Sequence, residues 1–197
     1  MAKIFIFRHG QTTDNLSHTF SGFRDVDLTE SGVEEAKTIG EHLKDEKVTR
    51  AYCSDQIRSK HTLELVLNVY HKDVPVFEDA RIKERNYGDL TGKNKDEVAK
   101  EFPEQYPLWH RSFNVSPPGG ESVEDVQKRV LPFLDELMST VKEDETIFIS
   151  AHGNSIRPMR MYFEEITPEE AASYEYTPGE IFYYTNDEEP PPPTPQP

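Results

Sequence analysis

Two short apolar runs, one near each end of the chain, stop at the same dipeptide. Lys3–Phe7 reads KIFIF and leads into Arg8-His9-Gly10, while Thr146–Ser150 reads TIFIS and leads into Ala151-His152-Gly153. Both runs are β-rich, and each places a histidine where a strand ends. Arg50–Ser54, Val74–Phe77 (broken by Pro75) and Glu180–Tyr184 read as three further strands. Helical spacing falls between them. Val33, Ala36, Gly40 and Leu43 follow a cap at Thr29 or Ser31, with Ser31 and Glu34 readable as a capping box. Asp55–Tyr70, Lys93–Phe102, Glu104–Arg111, a long stretch from Ser122 to Val141, and the residues after Gly153 also read as helices. Asn15–Asp27 and Glu84–Gly92 read as loops. Strands alternating with helices predict an α/β fold, a three-layer α/β/α sandwich around a mostly parallel central sheet. Ligands of such sheets bind beyond the carboxyl ends of the strands, which places His9 and His152 on one edge.

The 197 residues suit one catalytic domain over residues 1–186, followed by an acidic, Pro-rich tail over 187–197 expected to be disordered. Net charge is −15, from 37 acidic and 22 basic residues, which argues against nucleic acid and anionic membranes as partners. No apolar run approaches the length of a membrane span, and Met1–Phe7 is too short for a signal peptide. The lone cysteine, Cys53, cannot form an internal disulfide. A cytoplasmic location is expected on these grounds. The seven histidines are scattered without metal-ligand spacing, so metal independence is expected.

Phosphoryl transfer through a protein side chain needs an unprotonated nucleophile, cations around the phosphoryl oxygens, a proton donor for the leaving oxygen and fixed geometry. Histidine meets the first need, since its ordinary pKa lies near ~6.5. Arg8 and Arg58 are candidates for the second, because a guanidinium grips phosphate oxygens in pairs. His152 can donate to a phosphoryl oxygen as well. Glu84 is the candidate proton carrier, provided a dry pocket raises its pKa. An acidic chain repels an anionic phosphorylated substrate, so such a site must be locally basic.

Several longer strings are similar to the histidine phosphatases, the phosphoglycerate mutase-like superfamily. Arg8-His9-Gly10-Gln11 with Asn15 matches RHGxxxxN. Ser21-Gly22-Phe23-Arg24-Asp25 with Leu28-Thr29 and Gly32 resembles TGWxD…LxxxG. Ser54, Arg58 and Thr62 keep the family's S…R…T spacing. Glu84 to Gly92 with Asn94-Lys95 resembles ERxYGxLxGxNK, Trp109–Phe113 with Pro117-Pro118 resembles WRRSYDxxPP, and Ala151–Arg157 follows AHGNSLR. The nearest resemblance within the superfamily is to the short 2,3-bisphosphoglycerate-dependent phosphoglycerate mutases. It implies a mutase-like fold, and 2,3-bisphosphoglycerate as the primer of a phosphohistidine on His9. It also implies Glu84 as proton carrier, and Arg8, Arg58 and His152 as holders of the phosphoryl group. Asn15, Ser21, Gly22, Tyr87, Lys95, Arg111, Gly153 and Asn154 are implied to line the substrate pocket. The substrate would be a small phosphorylated anion, 3-phosphoglycerate, and the protein a monomer or dimer.

Lys95 and Arg111 fit such a substrate physically, because a phosphoglycerate carries a carboxylate as well as a phosphate. The chain departs from the resemblance at His110, where two adjacent arginines are usual, at Phe23 for tryptophan and at Ser21 for threonine. It also lacks the insert after Pro118, and the Pro-rich tail stands where longer mutases have a segment closing over the site. A more open pocket is therefore expected, and a phosphatase in which water attacks the phosphohistidine is the alternative. A scaffold using the tail as a polyproline ligand is a third reading, disfavoured by the full set of reactive residues.

Overall fold

The computed structural model describes residues 1–70 and 73–186; the Pro-rich tail expected to be disordered lies outside the described residues. Five strands form one sheet in the order β3-β2-β4-β1-β5, with β1 Lys3–Arg8, β2 Arg50–Cys53, β3 Val76–Glu78, β4 Thr146–Ala151 and β5 Ile181–Thr185. The first four strands run parallel, and β5 pairs antiparallel with β1 at the edge.

The two apolar runs noted in the sequence lie side by side. β1 pairs with β4 in the register Phe7↔Ser150 and Arg8↔Ala151. The ladder continues one step further, as the His9 N–H donates to the Ala151 carbonyl at 3.1 Å. Alternation along the strands then sorts the side chains. Ile4, Ile6, Ile147 and Ile149 enter one core with Val126, Val130, Phe133 and Leu134 of α6 (Val123–Thr140) and with Ile156 and Met159 of α7 (Gly153–Phe163). Phe5, Phe7 and Phe148 enter the other core, against Ile39 and Leu43 of α2 (Glu30–Leu43) and Leu63 and Val66 of α3 (Ile57–Leu67). Both faces of the central strands are thus covered by helices, which is the three-layer sandwich.

Short elements differ from the sequence expectation. A one-turn helix, α1 (Thr13–Leu16), interrupts the first loop; Asn15 completes its capping box with Thr12. Helix α2 is capped by Thr29, whose hydroxyl accepts from the Gly32 N–H, and not by a Ser31–Glu34 box. The third strand begins at Val76 and α3 at Ile57, because Pro75 cannot donate to the ladder and Asp25 caps Ile57 from another loop. Helices α4 (Lys95–Glu101) and α5 (Tyr106–Arg111) pack Phe102, Tyr106 and Trp109 on a third, small cluster with Phe20, Tyr87, Leu90 and Val98. A further helix, α8 (Pro168–Ser173), was not read from the sequence, although Thr167 and Glu170 form a capping box with Pro168 at the first position.

Gly32 shows how tightly the loop after β1 is seated on α2. A Cβ at Gly32 would lie 2.1 Å from the Gln11 carbonyl oxygen, and one at Gly10 would lie 2.2 Å from the Gly32 oxygen. Gln11 also accepts from the Thr29 N–H at 2.9 Å. Gly32→Ala must therefore push the His9 loop away from the helix. Overpacking of this kind costs about 1–3 kcal/mol, so Tm should fall by roughly 2–10 °C, read by circular dichroism, with a loss of turnover larger than the stability change explains.

Candidate active site

Three neighbouring parallel strands end together. His9 follows β1, His152 follows β4 and Ser54 follows β2, and their side chains meet beyond the sheet edge. The two imidazole centroids are 5.0 Å apart. His9 Nδ1 donates to the Gly10 carbonyl at 2.8 Å, since a carbonyl can only accept. The ring hydrogen is thereby fixed on Nδ1, and Nε2 keeps its lone pair. The Gly10 N–H in turn donates to the Thr62 hydroxyl at 3.0 Å, tying this turn to α3. His152 is held through Nε2, 2.7 Å from Ser54 Oγ, and its Nδ1 is buried without a hydrogen-bond partner.

Burial, then the charges of Arg58 and Arg8, hold the pKa of His9 well below the ordinary histidine value. Burial, Arg58, His9 and Arg8 do the same for His152. Both rings are therefore neutral at neutral pH. Arg58 is 1% exposed and donates to the carbonyls of Arg24 and Gly22 at 2.8 and 3.0 Å, which fixes the loop after Ser21 against α3. The Nε groups of Arg8 and Arg58 are buried donors without partners. Buried donors left unpaired are costly unless an acceptor meets them, so these atoms mark a place for anionic oxygens.

Glu84 completes the pocket. Its Oε1 accepts from the Arg85 N–H at 2.7 Å and from the Asn154 side-chain amide and backbone N–H at 2.9 and 3.3 Å. Burial alone would raise its pKa, but the Arg85 N–H, Arg58, Asn154 and Arg8 outweigh it and hold the carboxyl below its ordinary value. The expectation of a raised pKa is thus corrected: the carboxyl is held below its ordinary value. The carboxylate faces the N-terminus of α7 and two guanidinium groups, and all of these favour the ionised form. Two residues position it from behind. Gln56 accepts from the Glu84 N–H and donates to the Gly22 carbonyl. Arg129 of α6 donates to the carbonyls of Arg81, Lys83 and Glu84.

Arg8, His9, Asn15, Ser21, Gly22, Arg58, Glu84, Tyr87, Lys95, Arg111, Gly153 and Asn154 line one pocket, with the fully buried His152 behind it. Lys95 stands at the start of α4 and Arg111 at the end of α5, and Arg85 anchors that end by donating to the Trp109 carbonyl at 2.8 Å. His110, in place of an arginine, is neutral. Burial and then Arg111, Lys95, Arg85 and Arg157 bring its pKa down to about 3. Its ring packs on Tyr106 with centroids 5.1 Å apart, and its Nε2 accepts from Arg111 at 3.2 Å.

The sequence reading missed part of the wall: Thr19, Phe20, Arg157, Glu175 and Tyr176 also line the pocket. Arg157 lay within the Ala151–Arg157 string but was given no role. Glu175 and Tyr176 carried no local signal, because they reach the pocket only through the turn that α8 makes. The Tyr176 hydroxyl donates to the Gly153 carbonyl at 2.8 Å, so residues ahead of the tail wall the site that was expected to be open.

A metal has one conceivable seat among the described residues, since ligand atoms of His9, Glu84 and His152 lie within 4.8 Å of one another. The fixed positive charges of Arg8 and Arg58 beside them oppose a cation and favour an anion.

The geometry defines a class: a pocket for anionic oxygens built around an oriented, neutral imidazole at the carboxyl edge of a parallel sheet. The chain belongs to the histidine phosphatase superfamily (branch 1), whose family model matches residues 4–190. It is 42% identical over 186 residues to the 2,3-bisphosphoglycerate-dependent phosphoglycerate mutase of Nitrobacter hamburgensis, covering 92% of this chain and 90% of that protein. It is 39% identical to the protein of the same description from Cytophaga hutchinsonii, covering 91% of this chain and 85% of that one. The solved structure of Bacillus stearothermophilus YhfR superposes with a TM-score of 0.85 at 26% identity, covering 95% of this chain and 93% of that one. A mycobacterial glucosyl-3-phosphoglycerate phosphatase shares the fold, with a TM-score of 0.82 at 24% identity over 92% of this chain and 91% of that one. No helix among the described residues is long and apolar enough to cross a membrane.

The neutral histidines make stability depend on pH. In the unfolded chain His9, His152 and His110 take up protons near ~6.5, whereas in the folded chain their pKa values lie lower. The unfolded state therefore binds more protons below that pH, and stability declines as pH falls. Urea unfolding from pH 7.5 to 5.5 should show this decline, and His110→Asn should flatten part of the slope.

Proposed function

We propose that this enzyme is a 2,3-bisphosphoglycerate-dependent phosphoglycerate mutase, interconverting 3-phosphoglycerate and 2-phosphoglycerate through a phosphohistidine on His9. The observation that carries this reading is the second group of cations in the pocket. Arg8 and Arg58 surround the imidazoles, while Lys95 and Arg111 stand on α4 and α5 in the same cavity. A simple phosphate monoester needs the first group only, whereas a phosphoglycerate also presents a carboxylate for the second. Relatives at about 40% identity over nine-tenths of the chain are described as such mutases, which supports the same reading.

The unpartnered buried Nε donors of Arg8 and Arg58 fit a strongly anionic primer. When bound, 2,3-bisphosphoglycerate supplies the phosphoryl group that first loads His9. His9 needs no deprotonation, because Nδ1 already holds the ring hydrogen and Nε2 faces the reaction as a free base. Arg8, Arg58 and His152 hold the three equatorial oxygens as charge spreads over them. When a substrate hydroxyl attacks the phosphohistidine, the P–N bond breaks, the new P–O bond forms and Glu84 takes the hydroxyl proton. In the return step Glu84 gives that proton to the leaving oxygen as His9 takes the phosphoryl group back.

The field of the two arginines explains how one carboxyl serves both steps. Together with the Arg85 N–H they hold Glu84 ionised and ready to accept a proton. A phosphoryl dianion between them cancels much of that field, so burial then dominates and raises the carboxyl's affinity for a proton. Asn15, Ser21, Gly22, Tyr87, Gly153 and Asn154 complete the substrate wall in this reading. A single catalytic domain over residues 1–186 and a cytoplasmic location belong to it as well. The location is supported by the lone cysteine, Cys53, which is buried as a free thiol.

Given 3-phosphoglycerate and catalytic 2,3-bisphosphoglycerate, the purified protein should form 2-phosphoglycerate faster than free phosphate. Free phosphate without isomerisation would move the assignment to a phosphatase. His9→Ala should abolish acid-labile labelling of the protein. Glu84→Gln should lower kcat by about 10²–10⁴-fold while phosphate still binds.

A further inference from the structure

Among the described residues, Arg111 is the pocket cation that pairs directly with a carboxylate. Its guanidinium forms an ion pair with Glu175, which lies in the connection between α8 and β5. The backbone on both sides of Glu175 is anchored. The guanidinium of Arg160 lies over the Tyr174 ring at 3.9 Å, and the Tyr174 hydroxyl donates to Glu180. Tyr176 donates to the Gly153 carbonyl, and Arg157 lies over its ring at 5.3 Å. Tyr174 and Tyr176 are half-buried, whereas Glu175 between them is exposed and lines the pocket. The result is an anchored backbone carrying an acidic side chain, 75% exposed, paired with an Arg111 side chain that is 34% exposed.

The other side of the Arg111 fork is also held, since one of its nitrogens donates to His110 Nε2. His110 is neutral and adds no charge of its own to this end of the pocket. Arg111 therefore supplies the fixed charge of the α5 end, and Glu175 offsets it. A substrate carboxylate arriving at Arg111 meets a site that a protein carboxylate of the same chemistry already occupies.

We propose that Glu175 is a built-in competitor for Arg111, a specificity-determining residue that sets how strongly the pocket favours ligands bearing a carboxylate beside their phosphate. The proposal rests on the reading of Arg111 as a carboxylate holder. Exposed ion pairs are weak, so displacement lowers affinity modestly and does not block the site. A substrate must open the pair to bind, and Glu175 re-forms it as product leaves. A phosphate ester without a carboxylate does not compete for Arg111 and is indifferent to the pair.

Calorimetric binding of 3-phosphoglycerate and of orthophosphate to the full-length chain tests this. Glu175→Gln should tighten 3-phosphoglycerate about two- to fivefold and change orthophosphate much less. In an Arg111→Gln background the same change should have no effect on 3-phosphoglycerate. No tightening, equal tightening of both ligands, or tightening that persists without Arg111 would each overturn the proposal. Primed isomerisation by the same proteins separates the two readings. Loss of isomerisation with selective tightening intact counts against the mutase assignment alone, and the reverse counts against Glu175 alone.

Discussion

The parallel pairing of β1 with β4 is the contact on which the rest of the molecule depends. It joins residues more than a hundred positions apart, and its register, Phe7↔Ser150 and Arg8↔Ala151, sets the two His-Gly turns side by side. A slip of one residue would exchange the isoleucine and phenylalanine faces and bury each against the wrong pair of helices. Because both faces are packed, the register is held by two cores at once. The spacing of the imidazoles is thus decided by hydrophobic packing well below the pocket, and not by contacts between the histidines.

Electrostatics then does what an acidic protein requires. A chain with net charge −15 must gather its cations locally to hold a phosphorylated anion. Arg8 and Arg58 do this around the imidazoles, and Lys95 and Arg111 do it at the other end of the cavity. Burial with the charges of Arg58 and Arg8 keeps His9 unprotonated, and the Arg85 N–H with Arg58, Asn154 and Arg8 keeps Glu84 ionised, so the pocket holds a nucleophile and a base together.

Four loops and helix ends of the pocket wall are each fastened by a different residue. Arg58 holds the loop after Ser21, Arg129 holds the turn before Glu84, Arg85 holds the end of α5, and Tyr176 holds the stretch after α8. Arginine guanidinium groups on backbone carbonyls recur because a planar fork can satisfy several carbonyl oxygens of an irregular loop at once.

Strand-and-helix alternation, the two strand-end histidines and the arginines and glutamate between them were legible in the chain, because local periodicity and short strings record what a segment does by itself. The His9 tautomer, the neutral state of His110, the ionised state of Glu84 and the roles of Gln56 and Arg129 were not. Glu84 depends on Arg58 and Asn154, Gln56 on Gly22, and His110 on burial and Lys95 as well as on its neighbour Arg111; the His9 tautomer depends on the adjacent Gly10 carbonyl, which only the folded turn brings to Nδ1. Glu175 and Tyr176 are the clearest case. No local feature marks them, and only the turn made by α8 carries them back to the rim. The amino-acid sequence by itself determined the layers, the strand ends and the chemical types gathered at His9. Tertiary structure alone decided which protons those groups hold and which cation is already answered by a carboxylate, because charge and burial act through space and not along the chain.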